Sequence, residues 1–312
     1  MRIFVTGATG FIGRAVIAEL KKHNHDVIGL ARTDASGAML RAMKVTSLIG
    51  QGRDVQLLTD ALEGVHAIVH LANTLPTDDT TTEDTWKFSG EVMVKMMENL
   101  LRSSERTGVK TVVFPSFYGI YGDYGDVFVT EEAPVLPVPS VQRFWEAEQL
   151  LLRSSFLRRS SGVILRLGLV YSHDSPDTRG LLYALKRGQA SIEGDGAIYW
   201  PMIHVDDVAQ AVRLALEQAP HGETYNICDN EPVLQSNLYM NLAQTIEGPI
   251  PESSDDAQLM PYMGRINLEP LSFSVRLTNA KARDELGFDP QHKNHRSGFE
   301  GIIEKWLEGQ ND

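Results

Sequence analysis

One cysteine in 312 residues, Cys228, has nothing to pair with inside the chain. That excludes an internal disulfide framework, and no cluster of Cys and His has the spacing of a zinc site, so no metal is expected. Basic residues are also short, with 29 Lys and Arg against 41 Asp and Glu and a formal charge of −12. A field of that sign repels phosphate backbones, which sets nucleic acid aside as a partner. The densest basic group, Arg153 with Arg158 and Arg159, lies at a helix end and reads as a solvated face. No apolar run is long enough to cross a membrane, and a strand pattern starts at residue 2, where a secretory leader would lie. The expectation is a cytoplasmic protein whose partner is a small molecule.

What is present is an alternation. Apolar runs at 2–6, 26–31, 65–72, 109–114, 163–170 and 223–228 read as strands. Stretches with helical spacing separate them, at 11–20, 55–63, 86–106, 141–159 and 205–217. Strands that are apolar almost throughout, alternating with helices, imply a parallel sheet covered on both faces. This is the α/β, doubly wound Rossmann arrangement, whose ligand sits at the carboxyl ends of the strands. Segments 172–200 and 229–278 are rich in Gly, Pro, Ser and Asp and read as short elements only. The expected division is a nucleotide-binding domain of 1–171 plus 201–228, with 172–200 plus 229–312 forming a smaller substrate-binding lobe. The polar loop 73–85 follows a strand end, where loops carry function or simply face solvent.

Residues Thr6-Gly7-Ala8-Thr9-Gly10-Phe11-Ile12-Gly13 join the first strand to the first helix. There Gly7 permits the tight turn, Gly10 lets the backbone approach a pyrophosphate, and Gly13 lets helix and sheet pack closely. The helix begins inside this loop, so its free N–H groups and dipole favour phosphate. A site preferring NAD places an acid at the end of the second strand to hold the ribose hydroxyls. Here that place reads Leu30-Ala31-Arg32, which suits a 2′-phosphate, and Arg14 stands just after the glycine loop. NADP(H) is the expected cofactor over NAD(H).

These motifs resemble the extended short-chain dehydrogenase/reductases, the NAD-dependent epimerase/dehydratase family. The resemblance runs through His70-Leu71-Ala72, Tyr121-Gly122, RLGLVY at 166–171, IHVDDVAQAV at 203–212, YNI at 225–227 and KARDELGFDP at 281–290. It implies that Leu71, Ala72 and Gln51 also border the cofactor, Gln51 at a place where the family commonly has an adenine-contacting Asp. It further implies a homodimer through helices 86–106 and 141–159. The family's chemistry uses a Ser/Thr, a Tyr and a Lys four residues after that Tyr, which lowers the Tyr pKa. Alignment on Glu148-Gln149-Leu150-Leu151 puts Ser140 at the Tyr position and Phe144 at the Lys position, and the Ser/Thr position falls on Phe117 beside Ser116. None of the nine tyrosines has a lysine four residues on. The usual Tyr-x-x-x-Lys pair is therefore absent.

Proton transfer, if the chain is an enzyme, must be reassigned. Tyr118, Tyr121 and Ser116 are the first candidates, with Asp123, Tyr124, His173 and Asp174 near the same strand ends. Asn73, Phe117, Ser140, Phe144, Leu169 and Trp200 are the expected substrate pocket, more apolar than one made for a diphosphate sugar. The chemistry left open is reductase, lyase, cyclase or isomerase. The alternatives are a non-catalytic NADP(H)-binding redox sensor and a scaffold that no longer uses its pocket.

Overall fold

The computed structural model describes residues 1–72, 83–156, 161–218, 220, 222–254 and 269–309. Seven strands form one parallel sheet: β1 (Arg2–Thr6), β2 (Asp26–Ala31), β3 (Thr46–Ile49), β4 (Ala67–His70), β5 (Thr111–Phe117), β6 (Ser161–Leu167) and β7 (Thr224–Ile227). Their order is β7-β6-β5-β4-β1-β2-β3. The chain winds outward from β1 to β3, then returns to the other side of β1 and winds outward again through β4. The crevice between β1 and β4 is thus the switch point, where adjacent crossovers diverge and a ligand finds room.

Both faces of the sheet are covered, which is why its central strands are apolar at nearly every position. On one face α1 (Phe11–Lys22) and α7 (Val205–Gln218) bury Val16, Ile17, Leu20, Val208 and Val212 against Val5 and Leu165. On the other, α3 (Val55–Ala61), α4 (Glu83–Thr107) and α5 (Gln142–Phe156) bury Leu58, Met97, Leu100 and Leu151 against Phe4 and Ile68. The buried positions Met93, Met97, Leu100 and Leu101 recur at three- and four-residue spacing along α4, as a helix laid on a sheet requires. The edge strand β3 shows no such apolar run because its four residues are only half-buried or exposed. It joins α2 (Asp34–Ala42), which Thr33 and Ser36 open with a reciprocal capping box.

Beyond the sheet lie α6 (Pro176–Lys186), α8 (Gln235–Thr245), α9 (Ala280–Leu286) and α10 (His295–Glu308). The expectation of short elements only in 172–200 and 229–278 is corrected here, since α6 and α8 each run for 11 residues. The Ser and Pro that read as loop at 175–176 are a helix start: Ser175 Oγ accepts the Thr178 N–H, and Pro176 takes the first helical position. These helices build a separate core around Trp200, Tyr239, Phe299 and Trp306. Residues Ala282, Leu286 and Phe288 instead join the α1–α7 face of the main core.

Two buried polar locks hold the strand ends. The Ala72 N–H donates to Thr6 Oγ1 at 3.1 Å, and that hydroxyl lies 2.8 Å from His70 Nδ1. The ring's other nitrogen faces the Met93 carbonyl at 3.4 Å, which assigns the proton to Nε2. Burial pushes the His70 pKa down to about 4. Under β5 and β6, Arg166 spans Glu148 with Nε at 3.2 Å and Nη2 at 2.8 Å, and its Nη1 donates to Tyr121 Oη at 2.8 Å. The Tyr121 hydroxyl donates in turn to Asn226 Oδ1 at 2.8 Å.

Replacing Glu148 by Ala leaves the Arg166 charge buried and unpaired, and should lower the unfolding free energy in urea by about 3–5 kcal/mol. His70 gives a pH signature. Its folded pKa lies below the unfolded value, so the unfolded chain takes the proton first. The stability it contributes is full above about pH 6.5 and is lost as pH falls towards about 4. Unfolding measured from pH 7.5 to 4.5 should therefore fall by up to roughly 3 kcal/mol more in wild type than in His70→Gln.

Candidate functional site

The loop after β1 is shaped by its glycines in three different ways. Gly7 has φ +67°, and a Cβ there would lie 2.6 Å from the Leu71 backbone carbon. A Cβ on Gly13 would collide with the Gly7 carbonyl oxygen, so the first turn of α1 rests on the loop itself. Gly10 differs from both. Its φ is an ordinary −67°, it is exposed, and the nearest atom to a Cβ there is the Gly7 oxygen at 3.4 Å. Neither backbone conformation nor packing asks for glycine at position 10. The space beside it opens outward over the switch point, at the start of α1. The N-cap, Gly10, has no side chain to cap that helix end, and no acidic residue occupies its first turn. The first N–H groups of a helix so begun point outward, the arrangement that meets a phosphate.

Thr9, Phe11 and Ile12 are half-buried along the same loop, with Leu71 and Ala72 across the crevice. Arg32 follows β2, is exposed, and makes no ion pair among the described residues. Gln51 is exposed beyond β3. Arg14 turns elsewhere: its Nη1 donates to the Thr9 carbonyl at 3.0 Å and its Nη2 to Asp174 at 2.8 Å. Arg14 therefore braces the loop, with its charge already paired to Asp174. Asp174 is held below its usual carboxylate range, first by that Arg14 hydrogen bond.

At the other half of the crevice the expected catalytic residues separate. A side chain lining an open cleft keeps some contact with solvent, yet Tyr118 is 0% exposed and its hydroxyl has no hydrogen-bond partner. Its ring packs among Val129, Cys228, Val275 and Leu277, and burial raises its pKa. Ser116 is likewise enclosed, its Oγ unpartnered. Tyr121 is committed to Arg166 and Asn226, with burial pushing its pKa up to about 12. Thus none of the three tentative catalytic hydroxyls lines the cleft. Asp123 accepts the Gly125 and Ser274 N–H groups, and Tyr124 donates to the Pro134 carbonyl, so both shape a turn.

Phe117 and Phe144 do come together, ring centroids 5.9 Å apart, with Leu169 half-buried nearby against Phe117's cluster. Ser140, just before α5, donates to Glu269 Oε2 at 3.1 Å. Trp200 corrects the expected pocket: it is 1% exposed, its Nε1 donates to the Leu271 carbonyl at 2.8 Å, and it belongs to the core of the lobe. Asn73, and most of the loop 73–85, lie outside the described residues.

Sequence reasoning missed two groupings. A cavity of about 440 Å³ shares Phe11 and Arg14 with the glycine-loop set and reaches Ser172, His173, His204 and His292. In it His204, Asp206 and His292 bring potential metal-ligand atoms within 4.8 Å of one another. His204 Nδ1 already accepts the Asp206 N–H at 3.2 Å, so the lone pair on that side is engaged. The other missed residue is Glu269, which is 129 positions from Ser140 in a segment without any motif.

With that geometry in hand, comparison with known proteins is direct. A decarboxylating sterol-4-alpha-carboxylate 3-dehydrogenase from Dictyostelium discoideum is 25% identical over 237 residues, covering 74% of this chain and 72% of that protein. A 3-diazoavenalumate denitrifying reductase from a Streptomyces species is 25% identical, covering 96% of this chain and 99% of its own. Among solved structures, a dTDP-glucose 4,6-dehydratase from Streptomyces venezuelae, with NAD and TYD bound, has a TM-score of 0.81 at 22% identity. It covers 100% of this chain and 98% of its own, and shows the fold alone. Residues 3–228 match the NAD dependent epimerase/dehydratase family. That match begins in β1 and ends just past β7, taking in the whole sheet, and the chain therefore belongs to the NAD dependent epimerase/dehydratase family.

Proposed function

We propose that this protein is an NADP(H)-dependent oxidoreductase acting on a small, rather apolar alcohol or ketone. The observation that carries the reading is Gly10, the exposed N-cap of α1, where neither a positive φ nor a neighbouring atom demands glycine and a pyrophosphate would have room to approach. The residues present fit the cofactor. Gly7, Thr9, Gly10, Phe11, Ile12 and Gly13 would hold its pyrophosphate, Arg32 its 2′-phosphate, Gln51 its adenine side, and Leu71 and Ala72 the opposite wall. Bound there, NADP(H) supplies hydride donation or acceptance. The preference for NADP rests on the exposed Arg32 guanidinium, unpaired among the described residues, which offers a planar fork for phosphate oxygens. The Phe117–Phe144 wall and Leu169 support an apolar substrate, held between the strand ends and the lobe of 172–200 and 229–312. Two relatives named for dehydrogenation and reduction are consistent with hydride chemistry. The enclosure of Ser116 and Tyr118 keeps the redox-sensor reading as the alternative, since it removes the nearest hydroxyls from the reaction.

Calorimetric titration with NADP⁺, NADPH, NAD⁺ and NADH on nucleotide-free protein tests the reading. The NADP pair should bind about tenfold or more tighter than the NAD pair, and Arg32→Ala should erase that margin while leaving NADH affinity unchanged. Gly10→Ala should keep the unfolding stability within about 1 kcal/mol of wild type yet weaken every nucleotide by about tenfold or more. An unchanged preference in Arg32→Ala would refute the NADP assignment. No binding of any of the four nucleotides would refute the cofactor site.

A further inference from the structure

The resemblance assigns the family's Ser/Thr and Tyr positions to Phe117 and Ser140, and neither can deliver a proton as those residues do. The structure brings a different group to Ser140. Glu269 opens the short 3-10 turn Glu269–Leu271, and its Oε2 accepts the Ser140 hydroxyl at 3.1 Å. The next residue, Pro270, is buried against the turn Tyr118–Tyr121. Its Cβ and Phe117 Cε1 converge on one point, 3.0 and 2.5 Å from where a Cβ on Gly119 would stand. The Glu269 carboxylate thus meets the start of α5 at Ser140, while Pro270 beside it packs next to Phe117 at the end of β5. A dinucleotide divides at the switch point. Arg32 and Gln51 mark the adenosine half over β2 and β3, so the nicotinamide half lies over β4 and β5, the side of Phe117 and Ser140.

We propose that Glu269 is the proton-transfer residue of this site and that Ser140 is its positioning residue, an inference that rests on the oxidoreductase reading above. An ionised carboxylate only accepts hydrogen bonds, so Ser140 occupies one oxygen and leaves the other to a substrate hydroxyl. In alcohol oxidation the substrate O–H bond breaks and its proton passes to Glu269. The carbon–oxygen bond becomes a carbonyl as the carbinol hydride leaves to bound NADP⁺, the oxidant. Glu269 is exposed, so the proton then passes to water. In the reverse direction the protonated acid returns it to the carbonyl oxygen. A carboxylate beside the nicotinamide also favours the cationic oxidised ring over the neutral reduced one.

The test compares wild type, Glu269→Gln, Ser140→Ala and Ser140→Thr by two readouts. In calorimetry, Glu269→Gln should weaken NADP⁺ about three- to tenfold while NADPH changes less than about twofold. In turnover, NADP⁺ is offered with cyclohexanol, 1-phenylethanol and a decalol, and NADPH is followed by absorbance. Glu269→Gln should lower kcat about 10²- to 10⁴-fold and flatten the rise of kcat with pH that a carboxylate base gives. Ser140→Ala should lower kcat about tenfold, Ser140→Thr should restore it, and Tyr118→Phe should retain it. If Glu269→Gln keeps both wild-type turnover and the wild-type NADP⁺/NADPH ratio, the proposal fails and the oxidoreductase reading stands. If wild type binds NADP⁺ but oxidises none of the alcohols, the oxidoreductase reading fails and takes the proposal with it.

Discussion

The guanidinium of Arg166 is buried under the strand ends, where an isolated charge would cost several kcal/mol, and everything around the cleft is arranged to match it. Glu148 from α5 meets it side-on with both carboxylate oxygens, Tyr121 receives its third contact, and Asn226 on β7 closes the chain through the Tyr121 hydroxyl. Asn226 is itself fixed by the Glu131 carboxylate and the Val129 carbonyl. Five separate segments are thus oriented by one charge. Ser140, just before α5, meets Glu269, and the turn after β5 buries Tyr118 and Tyr121.

That constraint accounts for the division between rigid and open parts of the site. Below the crevice the side chains of Thr6 and His70 and the Ala72 N–H are satisfied by one another and by the Met93 carbonyl, which ties the β1 and β4 ends together. Above it Gly10 is exposed at the α1 terminus, and Arg32 is exposed and makes no ion pair among the described residues. A scaffold saturated underneath and unsatisfied on top is what a preformed ligand site requires.

How much of this was legible in the sequence depends on the reach of each interaction. The strand β1, the glycine loop and α1 are consecutive, and their pattern carries its own physical reason. The composition of 172–200 and 229–278 points to short elements only, because Ser175 and Pro176 signal a helix start as readily as a turn, and the apolar side chains of α6 and α8 face a core assembled from distant segments. The sequence carries no local sign of where the Trp200 side chain goes. The structure seats it in the lobe core, because its indole N–H found the Leu271 carbonyl. Tyr118 was chosen for being one residue from the right place, and a side chain one residue along a strand end points to the other side.

The sequence by itself determined the parallel α/β sheet and the glycine loop between its first strand and first helix, since apolar periodicity and glycine geometry act over a few residues. Tertiary structure alone decided which hydroxyls are sealed, that Arg14 is spent on Asp174, and that Glu269 meets Ser140. Those outcomes depend on how helices and lobe close over the strand ends, and packing between residues 129 to 160 positions apart leaves no local mark in the chain.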